Sequence, residues 1–232
     1  MKVYNILVLL IATQKRRIDI MMANMNKETL VEKIVTLEWE AFDQVDNEGG
    51  RADCQDDFQT FSIMRKSQYQ VWTQEMLQSF ILDFENANKN GINLIAQKYG
   101  YMMESTAPQR FEEIKNQLMP VSQEKRALIE QIVAIQVGFM EEFAAAYPLS
   151  AGNARSIHTK EDHLYNTSYE TYLRGELMTY SDETLMLYGR FIVEKAQNHE
   201  NLAKQIMNET AVFYGYNSVD HLEERLGDLS WE

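Results

Sequence analysis

The chain has 232 residues, 45% of them hydrophobic and 11% aromatic, which is enough for one sizeable core. Its formal charge is −13, from 22 basic and 35 acidic side chains. That balance argues against binding a nucleic-acid backbone, where Lys and Arg neutralise phosphates. The single cysteine, Cys54, excludes an internal disulfide and a thiolate zinc cluster, and fits a cytoplasmic setting.

The first 24 residues stand apart. An apolar run from Ile6 to Ala12 is too short to cross a bilayer, and TQKRR follows it. A signal peptide carries its positive charge before such a run. Met21, Met22 and Met25 precede a clean helix start, MNKETLVEKI. The expectation is that residues 1–24 are a non-native or disordered leader, with a peripheral anchor as the alternative. Residues 25–232 are then one all-α domain.

Asn26 can cap a first helix, in which Leu30, Val31, Ile34, Val35, Ala41, Phe42 and Val45 make an apolar stripe. Glu38 and Glu40, on either side of Trp39, read as a solvated face. The segment DNEGGRADCQDDF follows, and its glycines permit a positive φ. Asp56 or Asp57 can cap the next helix. A loop holding Arg51, Cys54 and three aspartates behind its two glycines is also a place to look for a site. Phe58 to Asn88 reads as helical with a break near Ser67, and Asn90-Gly91 is a turn. A helix from Ile92 to Met103 and a short one opened by Pro108 come next.

Ser122 caps the longest helix, running to Ala146. It is apolar nearly all round, so it should be central. It leads through Pro148 into a long connection holding Arg155, His158, Glu161, Asp162 and His163. Connections of that length in a compact domain are mostly functional or disordered. Thr167 with Glu170 is a capping box for the helix after it. Glu170 and Arg174 are one turn apart, as in a salt bridge, and Gly175 in mid-helix implies a close approach by a backbone or a ligand. Ser181 and Ser218 cap later helices. No strand pattern of useful length is present. The chain reads as one irregular bundle of eight or nine helices.

The expected site joins the two charged loops, 46–57 and 149–167, over the Glu170/Arg174 helix. Arg51, Arg155 and Arg174, with Tyr172, would grip an anionic small molecule, and Arg65 and Arg110 would support them. His158 is the acid–base candidate because it titrates near neutrality, and Glu170 would orient an arginine. Asp56 or Asp57 would bind a cation or cap a helix. Cys54 becomes a nucleophile if Arg51 or His158 lowers its pKa. No Glu-x-x-His or HExxH pattern occurs, so no metal site is assigned. The sequence names no cofactor and no oligomeric state. The competing class is a helical accessory or interaction module without catalytic activity, which would show a large exposed apolar patch.

The segments WEAFDQVDNEGGRADCQDDFQTFSIMRKSQ, NLIAQKYGYMMEST, YP with GNARSIHTKED, and SYETYLRGELMTYS resemble an uncharacterised bacterial family of unknown function. The resemblance covers the chain from Asn26 to Leu226 and implies no established activity. Relatives are associated with nucleotidyltransferase-like domains. For the accessory-module class the resemblance therefore implies a nucleotidyltransferase-like partner.

Overall fold

Short polar residues set where the helices begin. In the computed structural model, which describes residues 25–46, 50–152, 154–164 and 166–229, Asn26, Asp57, Thr73, Asn93, Ser122, Ser168, Ser181 and Asn201 each accept a bond from the backbone N–H three residues on. Each satisfies an amide that the first helical turn leaves unpaired. The helices are α1 (Lys27–Asp43), α2 (Phe58–Gln70), α3 (Gln74–Lys89), α4 (Leu94–Thr106) and α5 (Pro108–Ile114). They continue as α6 (Gln123–Ala146), α7 (Pro148–Gly152), α8 (Tyr169–Thr179), α9 (Asp182–Gln197), α10 (Leu202–Phe213) and α11 (Val219–Leu229). Among the described residues there is no strand, only an isolated bridge between His163 and Asn166.

The fold is all-α, as the periodicity implies, but with eleven helices among the described residues rather than eight or nine. The Phe58–Asn88 stretch is two helices, parted at Thr73 rather than near Ser67. After Tyr147 the chain makes the further short helix α7 before turning back. The expected leader, residues 1–24, lies outside the described residues.

The buried apolar side chains form one contiguous cluster. Helix α1 contributes Leu30, Val31, Ile34, Val35, Ala41 and Phe42, each large side chain worth about 1.5–3 kcal/mol when fully buried. Helix α6 packs on α7, α8, α9 and α10, so it is central. It is not enclosed on every side, because Glu130, Gln131, Glu141 and Glu142 stay exposed along one strip. Trp72 lies at the heart of an aromatic group with Tyr69, Phe80, Tyr180 and Tyr188.

Helices α4 and α8 pack closely at Gly175. A Cβ there would lie 2.8 Å from Met102 Cγ and 3.0 Å from the Lys98 carbonyl oxygen. The glycine is needed because two helices touch, and no ligand has to be invoked. That contact sets Lys98 on α4 beside Glu176 on α8.

Candidate functional site

Four charged side chains from four helices meet inside the bundle. Glu38 (α1) is 1% exposed, Arg65 (α2) 7%, Lys98 (α4) 3% and Glu176 (α8) 4%. Arg65 donates from Nε to Glu38 Oε2 at 2.6 Å and from Nη2 to the other oxygen of the same carboxylate. Its remaining N–H groups reach Gln68 Oε1 at 2.9 Å, Tyr69 Oη at 2.6 Å and Glu176 Oε2 at 3.4 Å. Lys98 Nζ donates to Glu176 Oε2 at 2.9 Å, while Gln68 and Tyr180 donate to Oε1.

Two carboxylates thus balance two cations, and each carboxylate is hydrogen-bonded, which a buried charge requires. Burial pushes the Glu176 carboxyl up, but Arg65 and Lys98 outweigh it and hold the group well below the usual carboxylate range. Burial likewise works against the charges of Arg65 and Lys98, and the carboxylates raise both above their ordinary values.

Glu38 is therefore a correction. It was expected on a solvated face with Glu40, and only Glu40 is exposed. The signal was in the spacing: Glu38 falls in step with Val31, Ile34, Val35 and Phe42 on the buried stripe. Lys98 is in step with Leu94, Ile95, Tyr101 and Met102, and Glu176 with Leu173 and Tyr180. Sequence reasoning singled out neither Lys98 nor the meeting of these four groups.

Beside this network, α4, α6 and α8 enclose an open cleft of about 400 Å³. Its charged lining is Arg126 and Arg174 with Glu104 and Glu130, and its hydroxyls are Ser105, Thr159 and Thr171. Arg174 is held from three sides. It donates to Glu130 at 2.7 and 2.9 Å, to Glu170 Oε1 at 2.8 Å and to Thr159 Oγ1 at 3.1 Å. The bonds to Glu130 do most to raise its pKa, against its partial burial. Arg126 is held less firmly: its ion pair with Glu104 spans 3.3 Å and both side chains are well exposed. Tyr101 lines the same cleft, and burial pushes its hydroxyl up to about 12, with Arg126 acting in the opposite sense.

Arg155 and Arg174 do not converge. The Arg155 guanidinium lies 4.7 Å from the centroid of the Tyr172 ring, which Lys98 Nζ also approaches at 3.8 Å. Tyr172 and Arg174 are two residues apart on α8, about 200° around the helix axis. Arg155 thus lies on the Tyr172 flank, while Arg174 faces the cleft. Arg51 is committed elsewhere, to Asp43 Oδ1 at 2.5 Å, Asp56 Oδ1 at 2.8 Å and the Gln55 carbonyl at 2.6 Å. A common grip by Arg51, Arg155 and Arg174 is not what the chain builds. Arg65, expected as a support, is buried in the network, and Arg110 pairs with Glu113 on the surface.

Several remaining candidates have structural partners. Asp57 caps α2 through Thr60 N at 3.0 Å, and Asp56 anchors Arg51. Glu170 does not close a capping box on its own helix, whose cap is Ser168 rather than Thr167. It accepts instead from Thr159 N at 2.9 Å and from Arg174. Burial works against its charge, and those bonds lower its carboxyl nonetheless. His158 Nε2 lies 3.2 Å from Glu141 Oε1, at the edge of α6. Cys54 is exposed in the 3₁₀ turn Asp53–Gln55. Among the described residues no three His, Cys, Asp or Glu side chains gather as metal ligands, and no helix is long and apolar enough to cross a membrane.

A family model described as "Protein of unknown function (DUF4125)" matches residues 28–224. No curated protein and no solved structure matches the chain.

Proposed function

Because the chain belongs to the DUF4125 family of proteins of unknown function, its own geometry must carry the functional reading, and we propose that it is a small-molecule-binding helical domain. The ligand is a small polar molecule with an anionic group, held in the cleft between α4, α6 and α8. One observation carries this reading: an open space of about 400 Å³ has two arginines on its walls, and one of them, Arg126, has only a long, exposed ion pair. Arginine offers a planar fork that matches a carboxylate or phosphate. Arg174, fixed by Glu130 and Glu170, shapes the opposite wall. Residues 25–232 acting as one domain, and a cytoplasmic location suited to the single free thiol of Cys54, belong to the same reading.

The test is a thermal-shift screen of the full chain against small carboxylates, amino acids, inorganic phosphate and sugar phosphates, repeated on Arg126→Ala. A hit that raises the melting temperature of the wild type and is lost in Arg126→Ala supports the reading. Hits that persist unchanged in Arg126→Ala, or the absence of any hit, count against it.

A second reading has its own observation. Arg51, Arg174, Asp57, Glu170 and His158 all have partners within the chain, as they would in an accessory module whose charges only knit loops together. Its partner would be a nucleotidyltransferase-like protein. This reading expects no small-molecule hit and a stable complex when the two are expressed together.

A further inference from the structure

The polar groups at the α8 wall of the cleft form a chain of hydrogen bonds with a fixed direction. Ser105 Oγ donates to Asp162 Oδ2 at 2.5 Å, and Thr171 Oγ1 donates to the same oxygen at 2.6 Å. A hydroxyl has one hydrogen to give. Thr171 has given its own to Asp162, so in its 2.9 Å contact with Thr159 Oγ1 it must accept. Thr159 is then the donor, and its oxygen accepts in turn from Arg174 Nη1 at 3.1 Å. Asp162 is ionised at the end of the chain. Burial opposes its charge, but the bonds from Ser105, Thr171 and the Ser168 amide lower its carboxyl.

The consequence concerns what the cleft can still bind. Ser105, Thr159 and Thr171 have all placed their hydrogens inside the protein, so each keeps only lone pairs. Glu104 and Glu130 on the facing walls are acceptors too. The donors left over are guanidinium N–H groups, chiefly those of Arg126. A donor-free anion such as a deprotonated des-amino carboxylate can meet Arg126, but everywhere else it sets lone pairs against lone pairs.

Resting on the cleft reading above, we infer that the ligand is an amino-acid-like zwitterion, with a protonated amine beside its anionic group. Arg126 receives the carboxylate. The ammonium donates to Ser105, Thr159 and the Glu104 carboxylate, the acceptors that a simple anion would leave unused.

Isothermal titration of the full chain with the standard L-amino acids, their des-amino analogues and inorganic phosphate tests this. The expected result is that at least one amino acid binds, and that its des-amino analogue binds at least about tenfold more weakly, as the loss of a charge-assisted bond implies. Glu104→Gln, which removes the ammonium's charged acceptor and also frees Arg126, should weaken the amino acid and leave the des-amino analogue bound at least as tightly as before. If phosphate or a des-amino acid binds as tightly as any amino acid, the zwitterion inference is overturned while the cleft reading stands. If none of the probes binds, both are overturned.

Discussion

Lys98 Nζ lies 2.9 Å from Glu176 Oε2, with both side chains almost wholly shut off from water, and the ammonium is also 3.8 Å from the centroid of the Tyr172 ring. The carboxylate also meets Arg65, whose other partner is Glu38. Four helices are thereby tied to one point, and removing one partner leaves a buried charge uncompensated. Glu176→Gln should cost about 3–5 kcal/mol, the range for breaking a buried pair from one side. Urea denaturation measures it, and a loss under about 1 kcal/mol would mean that water reaches the network.

The same group gives the protein a pH dependence of known sign. The folded carboxyl of Glu176 is depressed, so its contribution is present above the unfolded value, near 4.5, and is lost as pH falls. Lys98 and Arg65 are raised, so theirs is present below their unfolded values and is lost only at strongly alkaline pH. Stability should therefore drop on acidification from about pH 5 downward, and more steeply in the wild type than in Glu176→Gln. Denaturation curves collected from neutral to acid pH would decide this. Parallel pH profiles for the two proteins would show that Glu176 is not the group responsible.

Glycines in two helices should answer oppositely to alanine. At Gly175 a Cβ meets Met102 and the Lys98 carbonyl at 2.8 and 3.0 Å, so Gly175→Ala should destabilise by about 1–3 kcal/mol by forcing α4 and α8 apart. At Gly138 in α6 nothing lies within 4 Å of the added carbon. Gly138→Ala should stabilise by about 0.5–1 kcal/mol through helix propensity. Thermal melts of both variants check the pair, and a stabilised Gly175→Ala would remove the close helix contact from the account.

The two arginines of the cleft should separate stability from binding. Arg174 joins α8 to α6 through Glu130, and Arg174→Ala should cost on the order of 1 kcal/mol. Arg126→Ala should change stability by less than about 0.5 kcal/mol, because its one ion pair is long and exposed. Melting both variants without ligand is sufficient. A large loss in Arg126→Ala would make that residue structural and unsuitable as a ligand contact.

What could be read from the residues was local. Caps such as Asn26, Ser122 and Ser181 and the apolar stripes gave the helices and the central place of α6, because both depend on neighbours within a turn or two. The Glu170–Arg174 pair was visible for the same reason. The sides of α8 were missed: Tyr172 and Arg174 look adjacent in a string but face apart on a helix. The network was missed because Glu38, Arg65, Lys98 and Glu176 come from four distant segments. Each was marked only by a charged residue falling in step with an apolar stripe, a sign that a partner must arrive from elsewhere.

The most direct measurement is native mass spectrometry of the full chain, expressed and purified without added ligand, beside its Arg126→Ala variant. The cleft account predicts that the wild type retains the extra mass of a small polar molecule and that Arg126→Ala does not. Two bare masses, or the same extra mass on both proteins, would contradict it.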